Sequence, residues 1–256
     1  MTRSERFPAG TPCWVDINVP DLDVARTFYS SVLGWTIPPG DEQFGGYTQA
    51  HVDGSVTAGL GPIMGEWPTA WTLYFATDDA DATLAAAEAN GGTVLLPADD
   101  VGDFGRMAIV AEPSGAVFGV WQGHAMLGFD APGEPGSLAW TDLRSADPDR
   151  SRDFYAAVFG YDYQPLEMAG PDYATFSLPG GPPLGGMGGM MGAPDGVPPH
   201  WLVYFAVDDA DASAAAATRL GGTSLAPPFD TEFGRMGPLA DPFGAPFWTV
   251  QLPDGE

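Results

Sequence analysis

The chain writes one pattern twice. Residues 74–92, YFATDDADATLAAAEANGG, and residues 204–222, YFAVDDADASAAAATRLGG, are identical at thirteen of nineteen positions. WVDINVPDLDVARTFYSSVLGW (14–35) returns as WTDLRSADPDRSRDFYAAVFGY (140–161), FGRM at 104–107 returns at 233–236, and EPSGAVF (112–118) is answered by DPFGAPF (241–247). The spacings are 130, 126, 129 and 129 residues, in the same order. A near-constant offset means two homologous domains, which constrains the fold more than any single motif. The expected boundaries are 8–124 and 136–252, with a linker at 125–135 that falls in the Gly-, Pro- and acid-rich run GFDAPGEPG.

Each copy has the same local signals. An apolar-alternating strand at 13–19 runs into a helix that Asp21 can cap and Gly34 can end. In the second copy Asp147 is the cap, Pro148 takes the favoured first helical position, and Gly160 is the stop. Further strands are expected near 47–52, 55–61, 71–77, 93–96, 106–111 and 116–121, with a helix from about Asp79 to Asn90. In the second copy 173–178 and 183–191 are the strands most interrupted by Gly and Pro. The order βαβββ then occurs twice per domain and four times in the chain.

Composition closes several doors. The net charge is -25 and all nine basic residues are Arg, a balance that repels phosphate backbones and anionic lipid, so neither nucleic acid nor membrane is an expected partner. No apolar run reaches the length of a membrane span. MTRSERFPAG has no apolar core of the secretory kind. The single Cys13 excludes an intrachain disulfide and suits a reducing cytoplasm, which is the expected location. No phosphate-binding GxxxxGK[ST], CxxC or GxSxG motif is present. A monomer or homodimer is expected.

Paired βαβββ modules, the FY..VLGW helix, the DDADA turn and the GRM....DPxGA finish resemble the vicinal oxygen chelate superfamily, which holds glyoxalase I, extradiol dioxygenases and bleomycin-resistance proteins. Within it the chain is similar to the actinobacterial two-domain group described as glyoxalase-like or as hydroxylases. The resemblance covers nearly the whole chain and implies an α+β fold of two tandem domains, each with curved mixed sheets around a cup. It specifies function poorly. It also implies a metal held on the inner faces of the sheets. The places where such members carry ligands are here Trp14 and Trp140, Thr72 and Leu202, Gly119 and Trp248. The remaining ligand strand, 56–65 or 179–194, contains no His, Asp, Glu or Cys. No metal and no other cofactor is therefore expected. His51, His124 and His200 are scattered, none recurs in the other copy, and a structural or surface role is expected for them.

Strand parity then assigns the cup walls. Trp14, Asp16 and Asn18 lie on one face of the first strand, as do Trp140, Asp142 and Arg144 in its repeat. Thr72 and Tyr74, Leu202 and Tyr204, and Trp121 and Trp248 are expected to join them. A cup with tryptophan walls and a few polar groups suits a flat aromatic or amphipathic molecule. The expected function is metal-independent binding of such a metabolite or antibiotic, with Trp14, Asn18, Thr72, Trp121, Trp140, Arg144, Leu202 and Trp248 as contacts. The alternative is a glyoxalase-like or hydroxylase-like enzyme in which Asp16, Asp142, Tyr74 and Tyr204 do acid–base chemistry. A scaffold whose cups are filled by their own side chains is the third possibility. Asp16 and Asp142 could instead pair with Arg106 or Arg235, which could also bind Glu112 or Asp241. Met187, Met190 and Met191 could form a lid or a surface loop.

Overall fold

The computed structural model describes residues 5–65, 67–130, 133–170, 172–193 and 196–253. The N-terminal half runs β1 (Pro12–Val19), α1 (Leu22–Leu33), β2 (Thr48–Val52), β3 (Ser55–Pro62), β4 (Trp71–Ala76), α2 (Ala80–Ala89), β5 (Thr93–Val101), β6 (Gly105–Ala111) and β7 (Val117–Gly123). The C-terminal half runs β8 (Leu138–Arg144), α3 (Pro148–Phe159), β9 (Asp162–Pro165), β10 (Ala174–Ser177), β11 (Pro183–Gly188), β12 (His200–Ala206), α4 (Ala210–Arg219), β13 (Thr223–Ser224), β14 (Phe229–Thr231), β15 (Gly234–Ala240) and β16 (Pro246–Gln251). Each half builds one mixed sheet, ordered β2-β3-β1-β4-β7-β6-β5 and β13-β15-β16-β12-β8-β11-β10-β9, with β14 alongside β15. In each sheet the first strands of the two modules are antiparallel neighbours at the centre: β1 against β4, and β12 against β8. These are two α+β domains of the expected kind.

The local signals act as their chemistry requires. The Asp21 carboxylate accepts from the amides of Asp23 and Val24, and Gly34 ends α1 at a left-handed φ of 73°. Asp147 accepts from the Arg150 amide, and Gly160 ends α3 at φ 74°. Proline shortens the pattern where it falls. After α1 the strand is reduced to a single Thr36–His51 bridge ahead of Pro38 and Pro39. Pro227 and Pro228 separate β13 from β14. Met187 is fully buried on β11 and belongs to the core, so only Met190 and Met191 remain in the loop after it.

The helical sides of the two domains pack together. α1 lies against α4 and α2 against α3. The ring of Phe28 meets Phe247 with centroids 6.2 Å apart, and its repeat Phe154 meets Phe118 at 6.1 Å. A Cβ on Gly222 would stand 2.7 Å from Phe28, and one on Gly92 would stand 2.9 Å from Phe154, so both glycines are required by these rings. Polar ties follow the same symmetry. The Tyr29 hydroxyl donates to Asp241, and the Ser151 hydroxyl to Glu112, each at 3.0 Å. Gly10 and Gly136, 126 residues apart, donate to Ala76 and Ala206 and accept from Tyr161 and Trp35 of the opposite half.

The arginines of the FGRM repeats are placed differently from expectation. Arg106 pairs with Asp81 and Asp100, and Arg235 with Asp211 and Asp230, near the starts of α2 and α4. Glu112 and Asp241 bind the amides of their own turns, at Ala116 and Ala245, and are buried against the other domain. Neither Arg106 nor Arg235 reaches Asp16 or Asp142.

Phe28→Ala is expected to destabilise the protein by about 3–5 kcal/mol, the cost of removing a buried aromatic ring. Because the ring belongs to both domains, urea unfolding followed by far-UV circular dichroism and by tryptophan fluorescence should shift as one coincident transition. Separate transitions for the two halves would show that the seam does not couple them.

Candidate functional site

The second face of the central strands turns away from the helices to form the inner, cup side of each sheet, and most of its side chains are buried. In the N-terminal cup Trp14 stands opposite Tyr74, Asp16 opposite Thr72, and Tyr74 beside Gly119. In the C-terminal cup Trp140 stands opposite Tyr204, Asp142 opposite Leu202, and Tyr204 beside Trp248. The inner-face residues named from the sequence thus fall into two clusters, one per domain. Trp14 and Trp121 are buried among the protein's own side chains. Trp140 and Trp248 are half-buried, and Thr72 is partly and Asn18 fully on the open side.

Each cup has an inward tyrosine that strand parity on the central strands did not reveal. The Tyr47 hydroxyl donates to Asp16 Oδ2 at 3.2 Å and accepts from Trp14 Nε1 at 3.0 Å. The Tyr173 hydroxyl donates to Asp142 Oδ1 at 2.6 Å. The two tyrosines are 126 residues apart, the offset of the first strands, and that spacing is the signal that identifies them. Glycine on the neighbouring strand makes room: a Cβ on Gly59 would lie 1.7 Å from the Tyr47 hydroxyl, and one on Gly186 would lie 1.8 Å from that of Tyr173.

The two buried carboxylates differ in how their oxygens are hydrogen-bonded. Asp142 is 4% exposed and accepts from Tyr173 and Trp140 on Oδ1, and from Tyr204 (2.7 Å) and Arg144 (3.0 Å) on Oδ2. Asp16 is 7% exposed; Tyr47 and Tyr74 both donate to Oδ2, and Oδ1 has no hydrogen-bond partner. Asn18 occupies the place of Arg144, so no cation offsets the charge. Burial lifts the Asp16 carboxyl from 3.8 to about 7, against the pull of the Tyr74 and Tyr47 hydroxyls. Burial first, then the adjoining carboxylate, pushes the four tyrosines Tyr47, Tyr74, Tyr173 and Tyr204 up, so all four are neutral donors near pH 7.

The implied metal can be tested against these side chains. Trp14, Thr72 and Gly119 in one cup, and Trp140, Leu202 and Trp248 in the other, do converge, but the set offers a cation one hydroxyl in total. Each cup adds a single carboxylate, and among the described residues no group of three His, Cys, Asp or Glu side chains gathers. The donor set does not fit that metal. His51 is half-buried in β2, His124 is exposed, and His200 stands opposite Arg144, where burial lowers its pKa. A cleft of about 900 Å³ lies away from both cups, between the end of α1, residues 134–137 and α4. Its Ser213 and Thr57 hydroxyls are spent on backbone carbonyls of the domain ties.

A carboxyl whose pKa is higher folded than unfolded holds its proton more tightly in the native state, so stability falls as pH rises between the two values. For Asp16 that window runs from about 4 to about 7. Asp16→Asn should flatten this slope and be more stable than wild type above the window, as read by thermal unfolding from pH 4 to 8. An unchanged slope would place the loss elsewhere.

Comparison with known proteins agrees with this architecture. Residues 13–120 match the model of the glyoxalase/bleomycin resistance protein/dioxygenase superfamily, and residues 140–250 match a glyoxalase-like domain. The chain is 38% identical to the anthracycline biosynthesis protein DnrV of Streptomyces peucetius, covering 98% of this chain and 96% of that one. It is also 38% identical to "Putative glyoxylase CFP32" of Mycobacterium tuberculosis (strain CDC 1551 / Oshkosh), covering 96% and 97%. Among solved structures it superposes on the Mn(II)-bound glyoxalase from Novosphingobium aromaticivorans with a TM-score of 0.65 at 17% identity, covering 97% of this chain and 86% of that one. At such identity the likeness is one of fold. The repeat, the paired sheets and full-length relatives agree: the chain belongs to the glyoxalase/bleomycin resistance protein/dioxygenase superfamily.

Proposed function

We propose that this chain binds a small aromatic molecule carrying a hydroxyl or amine donor in its N-terminal cup, and that Asp16 recognises the donor without the metal of its superfamily. The bare, buried Asp16 Oδ1 carries this reading. A buried acceptor without a partner costs roughly 1–3 kcal/mol, and a ligand that supplies the missing donor recovers it. Thr72 stands opposite Asp16 on β4 and Tyr74 donates to its other oxygen, with Trp14 two residues before it; Asn18 and Trp121 are proposed as outer contacts of the ligand. Tyr47 is half-buried above it and follows two left-handed glycines, Gly45 and Gly46, so it is the wall that yields to an incoming ligand. Two relatives named for anthracycline biosynthesis, DnrV and DauV, support an organic small molecule as the ligand class. The functional units are 8–124 and 136–252 joined by 125–135, and the one buried thiol, Cys13, supports a reducing cytoplasmic setting.

A second reading has its own observation. A carboxyl near pKa 7 beside the neutral Tyr74 hydroxyl can take or return a proton at physiological pH, as a general acid–base catalyst must. The same variant separates the two readings.

Titration with 1-naphthol and 2-naphthol, followed by tryptophan quenching, should show binding that survives exhaustive chelation. Asp16→Asn should weaken it about 10-fold or more, the scale of a hydrogen bond to a charged group. If the bound molecule is recovered unchanged by mass spectrometry, binding is the function. Turnover that titrates near pH 7 and is lost in Asp16→Asn would establish catalysis. Naphthol binding that ignores Asp16→Asn, or no binding at all, overturns the proposal.

A further inference from the structure

The C-terminal cup holds a charged group for which Asp142 accounts only in part. Arg144 is 8% exposed, and its Nη2 donates to Asp142 Oδ2 at 3.0 Å and to the Tyr204 hydroxyl at 3.2 Å. Asp142 also accepts from Tyr173, Tyr204 and Trp140, three neutral donors that share the work of holding its charge. Arg144 Nη1, by contrast, faces the thioether sulfur of Met191. A thioether is a weak acceptor, so a largely buried guanidinium nitrogen is matched with one of the poorest partners a side chain offers.

Met191 is a cover easily moved. It is 53% exposed and sits at a left-handed φ of 46°, a conformation that disfavours side chains other than Gly, Asn and Asp. Beside it opens a groove of about 420 Å³ lined by Ala169, Tyr173, Gly189, Met190 and Met191. Asp172 also lines this groove and opposes negative charge, which confines an anion to the Arg144 side. On the sheet itself Tyr204, which Arg144 also contacts, packs on Trp248 with centroids 5.2 Å apart, and Phe229 meets Trp248 at 5.9 Å, so this inner face is aromatic. The N-terminal cup has Asn18 where Arg144 stands and lacks this cation.

We infer that the C-terminal cup is a subsite for the carboxylate of an aromatic acid. The carboxylate displaces Met191 and takes Arg144 Nη1, while the ring lies against Trp140 and Trp248. The two cups then recognise different chemistry: a neutral donor in one and an anion in the other. This rests on the small-molecule reading above but on a different cup and different residues.

The test measures binding of benzoate, 1-naphthoate and 2-naphthoate against their neutral amides by calorimetry. At least one acid should bind about 10-fold more tightly than its amide, the scale of a charge-assisted hydrogen bond. Arg144→Gln should erase that preference, and Met191→Ala, a change at an exposed position, should increase it by removing the cover. Acid and amide binding alike in both wild type and Met191→Ala, or neither binding either protein, overturns the subsite. A preference that persists in folded Arg144→Gln does so too. Naphthol binding and its loss in Asp16→Asn report separately on the N-terminal cup, so failure of one site is distinguishable from failure of the other.

Discussion

Two phenylalanines 126 residues apart hold the molecule in register. Phe28 and Phe154 each lie over a glycine, Gly222 and Gly92, where a methyl group would not fit, and each packs on the last strand of the other domain's second module. Around them Tyr29, Trp35, Trp71 and Phe205 form one aromatic cluster, and Phe75, Tyr155, Tyr161 and Trp201 form its repeat. Such burial is the main source of stability for a chain this acidic, whose self-repulsion opposes compaction. It consumes the helical side of both sheets. The inner faces are left on the far sides, and each cup works with its own residues.

Within the cups the same physical problem receives two answers. A carboxylate on a central strand must be desolvated, and a buried charge is tolerated only when it is paired, hydrogen-bonded or neutralised. Asp142 is paired with Arg144 and saturated by donors from two strands and a loop tyrosine. Asp16 has Asn18 in place of the arginine, two donors on one oxygen and none on the other, and responds by holding a proton to about pH 7. Asn18 in place of Arg144, and Trp14 donating to Tyr47 where Trp140 donates to the acid, leave Asp16 open where Asp142 is saturated. Gene duplication permits this division, because the inner faces of the two copies can diverge while the packing on their helical sides is kept.

The donor set that would hold the superfamily's metal differs here for a similar reason. The strands that would present ligands still lie side by side, Trp14 and Thr72 on paired β1 and β4 and Leu202 and Trp248 on paired β12 and β16, but apart from the Thr72 hydroxyl the side chains at those positions are aromatic, aliphatic or absent. Fold and ligand set are separable, since backbone pairing sets where residues meet and side-chain chemistry sets what they can hold.

The repeat offsets alone determined two domains of paired modules, and strand alternation alone placed Trp14, Asp16 and Tyr74, with their counterparts, on one face. Helix ends at Asp21, Gly34, Asp147 and Gly160 were equally legible, because caps and stops are local chemistry. What the sequence could not decide were contacts between segments far apart in the chain. Tyr47 and Tyr173 reach the acids only because Gly59 and Gly186 leave space on a neighbouring strand. Arg106 and Arg235 are drawn to exposed acids at helix starts, while Glu112 and Asp241 turn to their own loops and to the other domain. Which oxygen of Asp16 stays bare, and which nitrogen of Arg144 faces a sulfur, depend on sheet register and on what is packed above the sheet. Those are properties of the assembled tertiary structure, since hydrogen-bond partners are chosen by distance and desolvation after the strands have paired.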